Sequence, residues 1–193
     1  VLGFIIAILR STFDTMDKKN FLTKTINWIL KAYLTVIRGT PALIQLLIIY
    51  YVIFTSPDVS KMFVACLSFG LNSSAYIAEI VRSGIMSVDV GQFEAGRSLG
   101  FSHAGTMWHF ILPQAIKNIL PALGNEFIVL VKETSIAGYI GIAELTRGGD
   151  TIRSRTYEAF LPLIAVAIIY LVIVMFLTSL VTKLERRLQT DGK

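Results

Sequence analysis

Charged residues vanish from three stretches of this chain, Gly39 to Pro57, Met62 to Ala78 and Ala159 to Thr182, which run for 19, 17 and 24 residues. About 20 apolar residues cross a hydrocarbon core of roughly 30 Å as a helix, so the pattern predicts an all-α integral membrane protein. The opening Val1 to Leu9 is also apolar but stops at Arg10. At about 1.5 Å per residue it spans less than half of such a core. It reads as the end of a first helix whose start lies in a missing N-terminal piece, or as a short re-entrant segment.

Between these runs the pattern changes character. Arg10 to Arg38 is polar and basic, carries Lys18, Lys19, Lys24 and Lys31, and turns amphipathic from Phe21 to Ile37, which predicts an interfacial elbow. Thr40 as a cap and Pro41 at the first helical position predict a second helix over Ala42 to Phe54, ended by a turn at Ser56-Pro57-Asp58. The third helix is expected from Met62 to Arg82, where Ala65, Ser68, Gly70, Ser73, Ser74 and Ala78 allow another helix to approach closely. Ser83 to Phe110 is amphipathic and glycine-rich, with no apolar window long enough to span. A fourth helix follows over Leu112 to Val131, interrupted by Pro121 and carrying Asn125 and Glu126. After a polar stretch from Lys132 to Glu158, the last helix runs from Ala159 to Thr182 and ends at Lys183, Arg186 and Arg187. The expected architecture is a single domain, 1–193, of about five transmembrane helices, the first truncated.

Charge orients these helices, because cytoplasmic loops carry the excess of Lys and Arg. With the C-terminus inside, inner segments hold 13 such residues and outer ones five, namely Lys61, Lys132, Arg147, Arg153 and Arg155. The net charge of +5 is therefore membrane-flanking, and no aromatic reader motif accompanies it to suggest nucleic acid.

Enzyme signatures are missing. No G-x-x-x-x-G-K-[ST] loop occurs, so the chain is not expected to hydrolyse ATP itself, and no G-x-S-x-G elbow appears. His103 and His109 stand six apart without an H-E-x-x-H, and Cys66 is the lone cysteine, which excludes a disulfide framework or a multi-cysteine metal site. No catalytic residue, metal ligand or cofactor is assigned to this chain.

The informative segment is Glu94-Ala95-Gly96-Arg97-Ser98-Leu99-Gly100, followed by Ile111-Leu112-Pro113. It resembles the inner loop of the permease subunits of ATP-binding-cassette importers, which carries E-A-A, three residues, G, nine residues, then I-x-L-P. Glu94, Ala95, Gly100, Leu112 and Pro113 match in register. Gly96 replaces the second alanine, which is expected to loosen the loop helix by about 1 kcal/mol, and Phe110 stands where the isoleucine belongs. Arg38-Gly39-Thr40-Pro41, the run from Asn72 to Arg82, Gly124-Asn125-Glu126-Phe127, Lys132-Glu133-Thr134-Ser135 and Glu144-Leu145-Thr146-Arg147 look like the polar amino acid branch of that family.

The resemblance implies an alternating-access permease in a bacterial inner membrane, with residues 83–113 forming a cytoplasmic coupling loop. It implies a separate ATPase subunit that carries ATP and Mg, a second permease subunit in a homo- or heterodimer, an extracytoplasmic solute-binding protein and a polar amino acid as substrate. Glu94 is then the acidic contact to the ATPase, and Gly100 allows a tight turn. Gln45, Asn72, Asn125 and Glu126 are candidates for the substrate path, because polar groups within a bilayer face protein or a water-filled route. For Asn72 and Asn125 plain helix-helix hydrogen bonding stands as an equal alternative. Lys132 and Glu133 read as a gate or as an interfacial anchor, and Glu79 pairs with Arg82 one turn away. A gated channel or a secondary transporter would use the same buried groups without an ATPase, but neither needs the docking loop.

Overall fold

The computed structural model describes residues 1–15 and 20–190; Lys18, Lys19 and Lys193 of the charge count lie outside them. The described residues form helices joined by short turns, with no strand among them: α1 (Leu2–Thr15), α2 (Phe21–Gly39), α3 (Ala42–Ile48), α4 (Lys61–Met86), α5 (Val90–Ser98), α6 (His103–Thr106), α7 (Leu112–Glu133), α8 (Leu145–Thr156) and α9 (Phe160–Thr190). Helix α4 is central, packed against α1 on one side and α7 on another, and α7 in turn carries α9.

Small residues explain that centrality. Ala65, Ser68, Ser73, Ser74, Ala75 and Ala78 are all buried, so neighbouring backbones approach α4 closely. Gly70, expected to share that role, is exposed and has nothing near it; the tight contact falls instead at Gly84, against Ile119 of α7. Around α4 a core gathers Ile6 and Ala7 from α1, Leu34 from α2, and Ile111, Ala115 and Ile119 from the α7 side.

Among the described residues two helices are long and apolar enough to cross a membrane, α4 and the Phe160–Leu188 part of α9. Only 6% of the apolar window of α9 is buried inside the protein, as befits a helix whose other solvent is lipid. The run from Ala42 to Ile53 is only about 18 Å long at 1.5 Å per residue, short of a full crossing. It meets α2 at a bend of 109°, so the elbow expected from the amphipathic pattern is a sharp corner.

That corner corrects one local expectation. Thr40 does not cap α3; the cap position is Pro41, in extended conformation and without a side-chain hydrogen bond. Thr40 ends α2 instead, its hydroxyl donating to the Val36 carbonyl at 2.8 Å. The orphan carbonyls of that helix end are met by Gln45, whose amide donates to Ile37 O at 2.7 Å and Thr40 O at 3.1 Å.

The polar stretches are also more helical than the pattern suggests. Helix α4 continues past Arg82 to Met86, and an unbroken helical run leads from His103 through α6, a π-turn at Met107–Ile111, α7 and a 3-10 segment at Thr134–Ile140. Of the expected 83–113 loop, only residues 87–89 and 99–102 are non-helical. Pro113 offers no N–H to an α-turn, and the π-turn immediately before it absorbs the shift in hydrogen-bond register.

Candidate functional site

Helix α5 is a separate, well-capped unit slung between two long helices. The Asp89 carboxylate accepts from the Gly91 N–H at 2.7 Å, closing its start. At its end Gly100 takes φ +84°, in the left-handed region that glycine enters without steric cost. That turn lets the Gly100 N–H reach Arg97 O at 3.0 Å and the Phe101 N–H reach Gly96 O at 3.2 Å, the paired bonds of a Schellman ending. Ser102 then caps α6, accepting from the Gly105 N–H at 3.1 Å.

Side chains lock α5 to the following helical run. Phe93 stacks on His103, and Phe101 meets the edge of Phe110 with ring centroids 5.1 Å apart. Gln114 of α7 donates to Gln92 Oε1 at 3.2 Å, and Asn118 to the Ser87 hydroxyl at 2.8 Å. Phe110, out of pattern in the sequence, thus serves the turn, while Ile111 beside it is fully buried in the core. His103 and His109 act within this unit, His109 Nδ1 lying 2.9 Å from Gly105 O.

Gly96 has a reason that its helix propensity does not reveal. It is buried, and a Cβ placed on it would sit 2.5 Å from Thr106 Cγ2. The glycine is what allows α5 and α6 to touch. Glu94 and Ala95, by contrast, are exposed, as are Val90, Gln92, Arg97 and Leu99, so α5 presents one carboxylate among polar, basic and apolar groups. Leu112 is half-buried and Pro113 exposed.

The candidate path residues separate into two groups. Asn72, 3% exposed, donates to Gln45 Oε1 at 2.9 Å, which ties α4 to the corner between α2 and α3. Both amides are therefore engaged in holding helices together. Glu126 of α7 accepts from the Ser73 hydroxyl at 3.1 Å across the α4–α7 contact, and Asn125 beside it is exposed. Lys132, exposed, and Glu133, half-buried, stand in the last turn of α7.

The Glu79–Arg82 pair forms as expected, and the structure adds a third member: Arg38 Nη1 lies 3.4 Å from Glu79 Oε2, while its guanidinium sits over the Tyr76 ring. Tyr33 donates to Leu71 O at 2.7 Å and meets the Ser74 hydroxyl at 2.6 Å. No local spacing announces these contacts, since α2 reaches α4 across about 40 residues of chain. Among the described residues no group of three or more His, Cys, Asp or Glu is placed to hold a metal ion.

The chain is thus an all-helical membrane body that carries an exposed, capped helix packed on α6 and the π-turn that leads into α7. The chain belongs to the family described as binding-protein-dependent transport system inner membrane component, whose model matches residues 1–190. It is 36% identical over 193 residues to the arginine transport system permease protein ArtQ of Bacillus subtilis (strain 168), covering 99% of this chain and 86% of that one. It is 39% identical over 166 residues to the glutamine transport system permease protein GlnP of Escherichia coli (strain K12), covering 84% and 76%. A solved amino acid ABC transporter with histidines superposes with a TM-score of 0.85 at 45% identity, over 96% of this chain and 83% of that one. The MetNI methionine ABC transporter, at 18% identity and a TM-score of 0.76, shares the fold.

Proposed function

We propose that this chain is the permease subunit of an ATP-driven importer for polar or charged amino acids in a bacterial inner membrane. It forms the translocation path with a second permease subunit, receives substrate from an extracytoplasmic binding protein and keeps its C-terminus in the cytoplasm. ATP and Mg belong to a separate ATPase subunit, and this chain binds no cofactor. The relatives that transport arginine and glutamine support the substrate class.

The observation that carries the reading is the mounting of α5. Capped at both ends, it exposes Glu94, and its contacts through Phe93, Gln92 and Gly96 make it one body with the run leading into α7. A push on such a helix moves α7 and α4 together instead of bending a loop. Residues 83–113 are then the coupling unit, with Glu94 and Ala95 on the docking face, Gly96, Gly100, Leu112 and Pro113 shaping it. The path lies along α4 and α7, with Glu126 and Asn125 nearest to it and Asn72 and Gln45 holding its wall; Lys132 and Glu133 mark its outer end, at the gate. About five membrane segments are proposed, with the α3 run, too short to cross alone, as a partial one.

The test is Glu94→Ala in the assembled importer, reconstituted in vesicles with its ATPase and binding protein. Uptake of labelled arginine or glutamine is expected to fall at least tenfold while the protein inserts normally and basal ATP hydrolysis persists. Stimulation of hydrolysis by loaded binding protein is lost with it. Uptake at the normal rate refutes the coupling role.

A further inference from the structure

Helix α2 is built for a membrane surface, and it has a cavity beneath it. Its inner face, Asn27, Leu30, Tyr33, Leu34 and Ile37, packs into the protein. The opposite face presents Phe21, Trp28, Ile29 and Val36, with Trp28 70% exposed. On one flank Lys24, Lys31 and Arg38 recur every seven residues, which aligns them in a stripe because seven residues nearly complete two helical turns. The bend of 109° to α3 lays α2 across the direction of the helix that follows it.

Where this stripe meets α1 and α4 lies a cavity of about 460 Å³, lined by Arg10, Lys31, Thr35, Arg38 and Glu79 among others. Its one carboxylate, Glu79, is shared between two guanidiniums, Arg38 and Arg82. Lys31, exposed at its rim, has no ion pair among the described residues. A polar chamber with cationic walls beside an outward apolar strip suits an amphiphile whose head is an anion and whose tail is hydrocarbon.

We infer that the cavity between α1, α2 and α4 binds the phosphate head of an anionic phospholipid, whose acyl chains lie along Trp28, Ile29 and Val36. The chemistry recognised is a phosphate anion held by guanidinium and ammonium groups, and its source is the bilayer because the apolar strip continues from the site. Bound there, the lipid fastens α2 to α4 on the side where Glu79 already joins them. The inference stands apart from the importer reading, since it concerns the lipid face and not the coupling helix.

The assembled transporter, purified and stripped of lipid in detergent, is titrated with phosphatidylglycerol, phosphatidylcholine and soluble glycerol 3-phosphate, following retained lipid by native mass spectrometry and the apparent melting temperature. Phosphatidylglycerol is expected to remain bound and to raise the melting temperature by several degrees, with the other two near the baseline. Lys31→Gln and Arg38→Gln each weaken phosphatidylglycerol binding about fivefold, the loss of one interfacial cation. Lys24→Gln, on the same stripe but outside the cavity, changes it less than twofold. Equal binding of phosphatidylcholine overturns the inference, as does an equal shift by glycerol 3-phosphate, which assigns a soluble-phosphate site. Equal losses in all three variants also overturn it, because they mean diffuse surface attraction. Should Arg38→Gln fail to fold without its Glu79 contact, the exposed Lys31 and the lipid exchange on the unaltered protein decide the matter.

Discussion

Replacing Gly96 by alanine adds a single methyl group at the contact between α5 and α6. That methyl would stand 2.5 Å from Thr106 Cγ2 and 2.8 Å from Thr106 Oγ1, whereas carbon atoms in contact sit about 3.5–4.0 Å apart. Thr106 has no room to swing aside, being 0% exposed and stiff at its branched Cβ. The two helices must therefore part by about 1 Å. Overpacking of this kind costs about 1–3 kcal/mol, against about 1 kcal/mol gained by removing a glycine from a helix. The balance is a loss of about 1 kcal/mol in the docking of α5, or roughly fivefold more frequent opening. Thr106→Ala removes both clashing atoms and leaves only Cβ, at 3.2 Å. It also deletes a hydroxyl that is buried without a hydrogen-bond partner, a state that costs about 1–3 kcal/mol. The double variant is expected to dock α5 at least as firmly as the unaltered chain, giving a coupling of about 1–2 kcal/mol between the two positions. Amide hydrogen exchange over residues 95–106 in the purified transporter measures this. If Gly96→Ala alone raises protection, helix propensity governs the position and the steric argument is wrong.

Gly100→Val places a branched side chain at φ +84° in open space, so strain alone is at work and costs about 1–2 kcal/mol; limited proteolysis after residue 98 should speed up, and Gly100→Asn should do so less. Asn72→Ala leaves Gln45 Oε1 buried without its donor, an expected loss of about 1–3 kcal/mol seen as a lower melting temperature. A larger effect on transport than on melting would instead make Asn72 a path residue. Glu126→Gln keeps the Ser73 hydrogen bond but removes a charge between α4 and α7. If that carboxylate lines the path, arginine uptake falls while glutamine uptake in the same vesicles is kept; equal effects on both reduce it to a packing residue.

What the chain determines by itself is whatever depends on neighbours within a few residues. The charge-free runs specify α4 and α9, because a bilayer admits backbone only when its hydrogen bonds close within the segment. The matched loop motif specifies a helix ending at Gly100, because a Schellman turn is closed by residues no more than five apart. Tertiary structure decided the rest. Gly96 read as a weakness of the loop helix and is instead the contact with Thr106, ten residues on and across a turn. Asn72 read equally as a path residue or a helix-helix hydrogen bonder, and its partner, Gln45, became visible only where a 109° corner brings α2, α3 and α4 together. Arg38 joined Glu79 from a different helix. Periodicity says which face of a helix is apolar, but the partner of that face is chosen by packing between segments far apart in sequence, where small side chains on α4 set how near each neighbour comes.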